Sequence, residues 1–281
     1  MWLNQWYRGW RNRPRTRSAV ASRPSPHRPG RLTLEQLEDR TLPSSFTAAT
    51  VSDLIADINA ANTAGGSNTI TLAPKTTFAL TQVNNTTANG SNGLPVIALN
   101  DNLTIVGNGD KIERSNTAPV FRFFEVASGA TLTLNDMTLH GGSATNGGGG
   151  IYSAGTLTVS GCTICGNSAE FGGGIYDAGL GSGVTCTIQN STISRNSATL
   201  GGGIYDIGSY VTISASTITK NTAADGGGIY DESTATIGII NKSVVCGNSA
   251  SSFGDDVFID MGGLYIQTGS KVCNVYSPFG P

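Results

Sequence analysis

Three aspartates return at one place in a repeating phrase: Asp177, Asp206 and Asp231, each directly after a tyrosine. Carboxylates stacked about 5 Å apart repel unless hydrogen bonds or a cation bridge them, and calcium takes such oxygens. Aspartate at a turn also accepts backbone N–H groups, which explains the same pattern without a ligand. The preceding tyrosines, Tyr152, Tyr176, Tyr205 and Tyr230, are candidates for a ligand-binding row that stacks on sugars or a partner protein. The same row would serve equally to shield a sheet. Arg195 and Lys220 share a slot that Gly166 and Gly247 fill elsewhere, suited either to an acidic polymer or to plain solubility.

Catalytic chemistry has little to build on. A uronate lyase needs a base beside acids that hold calcium, and a glycoside hydrolase needs paired carboxylates at a defined separation. Asp255-Asp256 is an acidic pair, but neighbouring strand residues face opposite ways. His140 is the lone histidine after the first 45 residues and is expected to be a turn residue near Asp136. Of the cysteines, Cys162 aligns with Ser191 and Ser216, and Cys165 with Ser194, Thr219 and Cys246. With an odd total of five and no second Cys/His pair, they read as small packing residues and surface thiols.

The elements that must position these residues are repeats. Gly-Gly-Gly-Ile-Tyr ends at Tyr152, Tyr176, Tyr205 and Tyr230, and each unit closes on an asparagine: Asn167, Asn196, Asn221 and Asn248. Self-similarity at such a spacing signals a solenoid. Within a unit the apolar residues alternate, Leu157 and Val159 or Val211 and Ile213 against Thr158 or Thr212, which is the period of a strand. A coil of this size must pair with the next one in parallel. Stacking then makes Ile151, Ile175, Ile204 and Ile229 an inner column and the four asparagines a structural amide ladder at a turn.

Ahead of the repeats, Val51, Leu54, Ile55, Ile58 and Ala61 fall at helical intervals, with Thr50 or Ser52 to cap. A short helix over about 50–62 is expected to cover the open end of the stack. Strand-like runs follow at Thr69–Leu72, Phe78–Gln82, Val96–Leu99, Leu103–Val106, Val120–Val126 and Thr131–Leu134. Residues 84–92 read as an exposed loop. The regular array spans about 130–250 and fades by Leu264–Val275.

Residues 1–45 differ in kind. Nine of the 17 basic residues but only three acids precede residue 41, so this tail carries 9 − 3 = +6 and the rest 8 − 16 = −8. The tail is expected to be disordered, and the acidic body argues against nucleic-acid binding. No run approaches a membrane span.

The phrase GGGIYD…TIxxSTIxxNSA resembles the bacterial right-handed parallel β-helix repeats of the polymorphic outer-membrane-protein type, within the pectin-lyase-like fold class. Ser52–Asn62 followed by Asn68–Leu72 is similar to the capping helix and first strand that often precede such arrays. The likeness covers about residues 50–275. A second, shorter likeness joins Arg31–Ser44, with its Leu-Glu-x-Leu-Glu-Asp-Arg core, to the N-termini of many large bacterial surface and exported proteins. These resemblances imply an all-β, right-handed parallel β-helix over residues 46–281, extracellular or at the bacterial cell surface or outer membrane. A non-enzymatic module for adhesion, ligand binding or structural spacing is the expected function. The alternative is a lyase or hydrolase of acidic polysaccharide. Partners are a polysaccharide or a surface protein, the chain is expected to be monomeric, and no cofactor is expected except possible calcium on the three aspartates.

Overall fold

The computed structural model describes residues 44–278, except 182 and 235. The expected tail and the Arg31–Ser44 segment therefore lie outside the described residues, save Ser44 and Ser45. Those two open the first strand, Ser44–Ala48, which pairs in parallel with Asn68–Leu72.

β-Branched residues alternating with Thr or Ser make short strands bounded by Gly, Asn and Ser corners, and each strand pairs with its counterpart one coil on. The result is a parallel β-solenoid of about eight turns. Three faces run along it. The first carries Thr156–Ser160, Thr185–Gln189, Tyr210–Ser214 and Thr236–Ile240. The second carries Thr163–Cys165, Thr192–Ser194, Thr217–Thr219 and Val244–Val245. The third carries Phe124–Val126, Ile151–Ser153, Ile175–Asp177, Ile204–Asp206, Ile229–Asp231 and Val257–Ile259.

In the earlier coils one long strand serves two faces, Asp101–Arg114 and then Thr131–His140. Asp136 turns the corner within the second by adopting a φ of 52°. The pattern does not fade where expected. Gly263–Ile266, Lys271–Val272 and Val275–Tyr276 pair with the three faces and complete another coil.

Inside, equivalent positions stack into apolar columns, such as Ile151, Ile175, Ile204 and Ile229, all fully buried. The glycine phrase sits at the corner leading into the third face, and its positions have different jobs. The first, Gly201 for one, has a φ of 64°, a left-handed conformation that costs glycine little. At the second, Gly202, an added Cβ would lie 2.4 Å from the carbonyl oxygen of Gly227 in the next coil.

The helix runs Val51–Ala64. Thr50 caps it in a capping box with Asp53, and Leu54, Ile58 and Ala61 are buried against the core. Residues 84–92 are not a free loop. Asn85–Thr87 and Gly90–Asn92 pair as an antiparallel hairpin. At Val96–Leu99 only Ile97 makes a bridge, to Val126.

Candidate functional site

The tyrosine row is one column of the third face. From one end it reads Glu125, Tyr152, Tyr176, Tyr205, Tyr230, Phe258 and Tyr276, each in register with the next. The rings stack on one another, with centroids 5.1 Å apart for Tyr152–Tyr176, 5.2 Å for Tyr176–Tyr205 and for Tyr205–Tyr230, and 4.6 Å for Tyr230–Phe258. Interplanar angles of 5–26° mean that their faces are taken up by each other. The column shows the outside mainly ring edges. Phe171 leans against Tyr205, with centroids 5.3 Å apart, and Tyr205 itself is buried and donates its hydroxyl to Glu232. Desolvation pushes the Tyr176 and Tyr230 hydroxyls up to about 12, so both remain neutral donors.

The aspartates occupy the next position along each strand and alternate inward. Asp177, Asp206 and Asp231 are fully buried, in a column that also holds Val126, Ser153 and Ile259. Their partners are serines and turn amides. Asp177 accepts the Ser209 hydroxyl and, at 3.2 Å, the Gly179 N–H. Asp206 accepts the N–H groups of Gly208 and Ser209, and Asp231 that of Ser233 at 2.8 Å. Burial dominates their protonation and pushes Asp177 and Asp231 up to about 7, against the pull of these hydrogen bonds. Asp206 is shifted the same way for the same reason. Near neutral pH Asp177 and Asp231 are therefore poised between protonated and charged forms.

The asparagines form a continuous amide ladder. Asn167 Nδ2 donates to Asn196 Oδ1 at 3.0 Å, Asn196 to Asn221 at 3.0 Å, and Asn221 to Asn248 at 2.9 Å. Each Oδ1 also accepts its neighbour's backbone N–H, as in Asn196 to Asn221 at 2.9 Å. Asn248 then donates to Asp256 Oδ1 at 2.8 Å, so an acceptor-only group closes the ladder. The acidic pair separates: Asp256 is buried there, while Asp255 accepts the Ala250 N–H.

A serine ladder, not expected from the sequence, runs beside the asparagines' face. Ser191 Oγ accepts the Cys162 N–H at 3.0 Å, Ser216 that of Ser191 at 3.0 Å, and Ser243 that of Ser216 at 3.1 Å. The alignment of Cys162 with Ser191 and Ser216 carries the signal for this ladder. Cys246 and Cys273 are neither packing residues nor surface thiols: they form a disulfide. They sit in register on consecutive coils, next to the Val245–Val272 pair. Cys162 and Cys186 are buried as expected. His140 meets Cys165 rather than Asp136, its Nδ1 lying 3.1 Å from the Cys165 carbonyl oxygen. Arg195 and Lys220 adopt φ values of 56° and 58°, matching 65° at Gly166 and 72° at Gly247, so their slot is a left-handed corner.

A second polar cluster gathers residues from outside the repeats. Arg122, fully buried, lies 3.4 Å from Glu125 and holds its guanidinium carbon 5.1 Å from the Tyr152 ring centroid. Glu125 accepts from Thr87 at 2.8 Å, from Asn89 at 2.9 Å and from Asn92 at 2.7 Å. Arg122 in turn donates to the Asn89 carbonyl. The hairpin is thus lashed over one end of the tyrosine column. No single residue in 84–92 announces this, because the partners lie more than 30 residues away.

Among the described residues, the group of His, Cys, Asp and Glu ligand atoms close enough for one metal ion is Cys246, Asp256 and Cys273, the disulfide and the ladder's end. The fold places the chain among parallel β-solenoids. No protein-family model matches it, and neither does a curated protein or a solved structure. No helix among the described residues is long and apolar enough to cross a membrane.

Proposed function

We propose that the chain is a non-enzymatic, surface-exposed or secreted β-solenoid module, serving adhesion, ligand binding or structural spacing. One observation carries this reading: the repeated columns that looked chemically able are spent on one another. The tyrosine faces stack, the asparagine amides pair, and the aspartates are buried under serines and turn amides. A scaffold of this kind holds its length and displays whatever its edges and ends carry. The localisation rests on the Leu-Glu-x-Leu-Glu-Asp-Arg likeness and on the disulfide, a bond at home in oxidising compartments.

One feature favours the alternative, a lyase or hydrolase of acidic polysaccharide. Carboxyls with pKa values near neutrality are the usual equipment of acid–base catalysis. Against it, a general acid must reach its substrate, and Asp177 and Asp231 have no exposed surface.

Labelling of intact producing cells and their medium with an antibody to residues 46–281 tests the surface assignment. Signal on unpermeabilised cells or in the medium is expected. Signal that appears only after permeabilisation would overturn it.

A further inference from the structure

The end of the tyrosine column where the hairpin sits differs from the rest. In the coils that follow, Phe171 and Leu200 occupy one stacked position beside the tyrosines, and Gly147 occupies that position in the coil before. Phe171 covers Tyr205, whereas Gly147 covers nothing and lies against the Tyr176 ring, where a Cβ would come within 2.8 Å. The Tyr176 ring takes the room a side chain would need at Gly147, and hairpin residues Ala88 and Asn89 wall the space beside it. The resulting cavity is about 270 Å³, lined by Tyr152, Phe171 and Tyr176 together with Asn89, Asn146 and Glu170.

These linings have a definite chemistry. Stacking occupies the tyrosine faces, so ring edges reach the cavity beside two amides and a carboxylate. Such a set offers both donors and acceptors on an apolar frame, which suits a ring bearing several hydroxyl groups. Glu170 is the charged residue of the lining, so an anionic ring would meet repulsion there. The volume lies just under the roughly 300–1,000 Å³ of drug-sized pockets, enough for one sugar unit. Ala88 and Asn89 at the hairpin tip form one wall, which suits the end of a chain better than its middle.

We infer that this cavity binds the terminal residue of a neutral saccharide. The inference deepens the reading of the chain as a non-catalytic module and rests on it. Two substitutions probe the site from exposed positions: Glu170→Gln removes the carboxylate at constant size, and Ala88→Trp fills the mouth from the hairpin tip.

The full chain is titrated calorimetrically with neutral trisaccharides ending in glucose, galactose, mannose or N-acetylglucosamine, and with tri-galacturonate. Circular dichroism confirms that each variant melts as the parent does. At least one neutral trisaccharide is expected to bind, with affinity about tenfold or more lower in both variants, as loss of a charge-assisted hydrogen bond or of the space itself requires. No neutral binding, tighter binding of tri-galacturonate, or unchanged affinity in both variants would overturn the site. Release of shorter sugars during the titration would instead unseat the non-catalytic reading, since binding and turnover are read separately.

Discussion

At the residue scale, the buried aspartates make stability depend on pH in an uncommon direction. A carboxyl whose folded pKa lies above its unfolded value binds more protons when folded, so its contribution is present below pH 4 and lost as pH rises through 7. Thermal melts of the domain should therefore show a midpoint that falls between pH 4.5 and 8, and Asp177→Asn with Asp231→Asn should flatten that slope. A midpoint rising over the same range would refute the assignment. The amide ladder makes a second prediction. Asn221→Ala removes the acceptor of the buried Asn196 backbone N–H and of one of its two amide N–H groups, while the other still donates to the Ile164 carbonyl. A loss of about 2–4 kcal/mol is expected by urea denaturation, from two unsatisfied groups.

These residues were unequally legible. The asparagine ladder and the outward tyrosines followed from alignment and alternation, because in a stack sequence register is contact. The burial of the aspartates follows from the same alternation. Their serine partners do not, since Ser209 and Ser233 lie in corners of irregular length.

At the element scale, corners and ends set the tolerances. Gly202→Ala drives a methyl group into the neighbouring coil's backbone, whereas an added Cβ at Gly109, φ 80°, meets nothing within 4 Å. The first variant is expected to fail to fold or to lose most of its stability, and Gly109→Ala to lose about 1 kcal/mol. Soluble yield and melting midpoint compare them. The hairpin depends on one carboxylate: Glu125→Ala leaves Arg122 buried without its counterion, at a cost of about 3–5 kcal/mol. New proteolytic cleavage between residues 84 and 92 would report the release. Cys246–Cys273 closes a 27-residue separation and ties the last coil to the stack. Cys273→Ser should cost about 3 kcal/mol, with hydrogen exchange rising first at Val257–Tyr276. The helix was readable from spacing, and its cap only as Thr50 or Ser52, a choice the capping box with Asp53 makes for Thr50. The hairpin and the final coil were not: the hairpin is held by Glu125 and Arg122 more than 30 residues away, and residues 263–276 pair with repeat strands without carrying the repeat's own phrase.

At the scale of the whole molecule, repeated polar columns hold the stack together, and in the proposed function recognition falls to its edges and ends. In that proposal the acidic column is structural and not an active site. The most direct test incubates the protein with uronate and neutral polysaccharides, with and without calcium, and follows unsaturated and reducing ends over time. No release above a heat-denatured control is predicted under either condition. Release that requires calcium and disappears in Asp206→Asn, while that variant still melts cooperatively, would contradict the account.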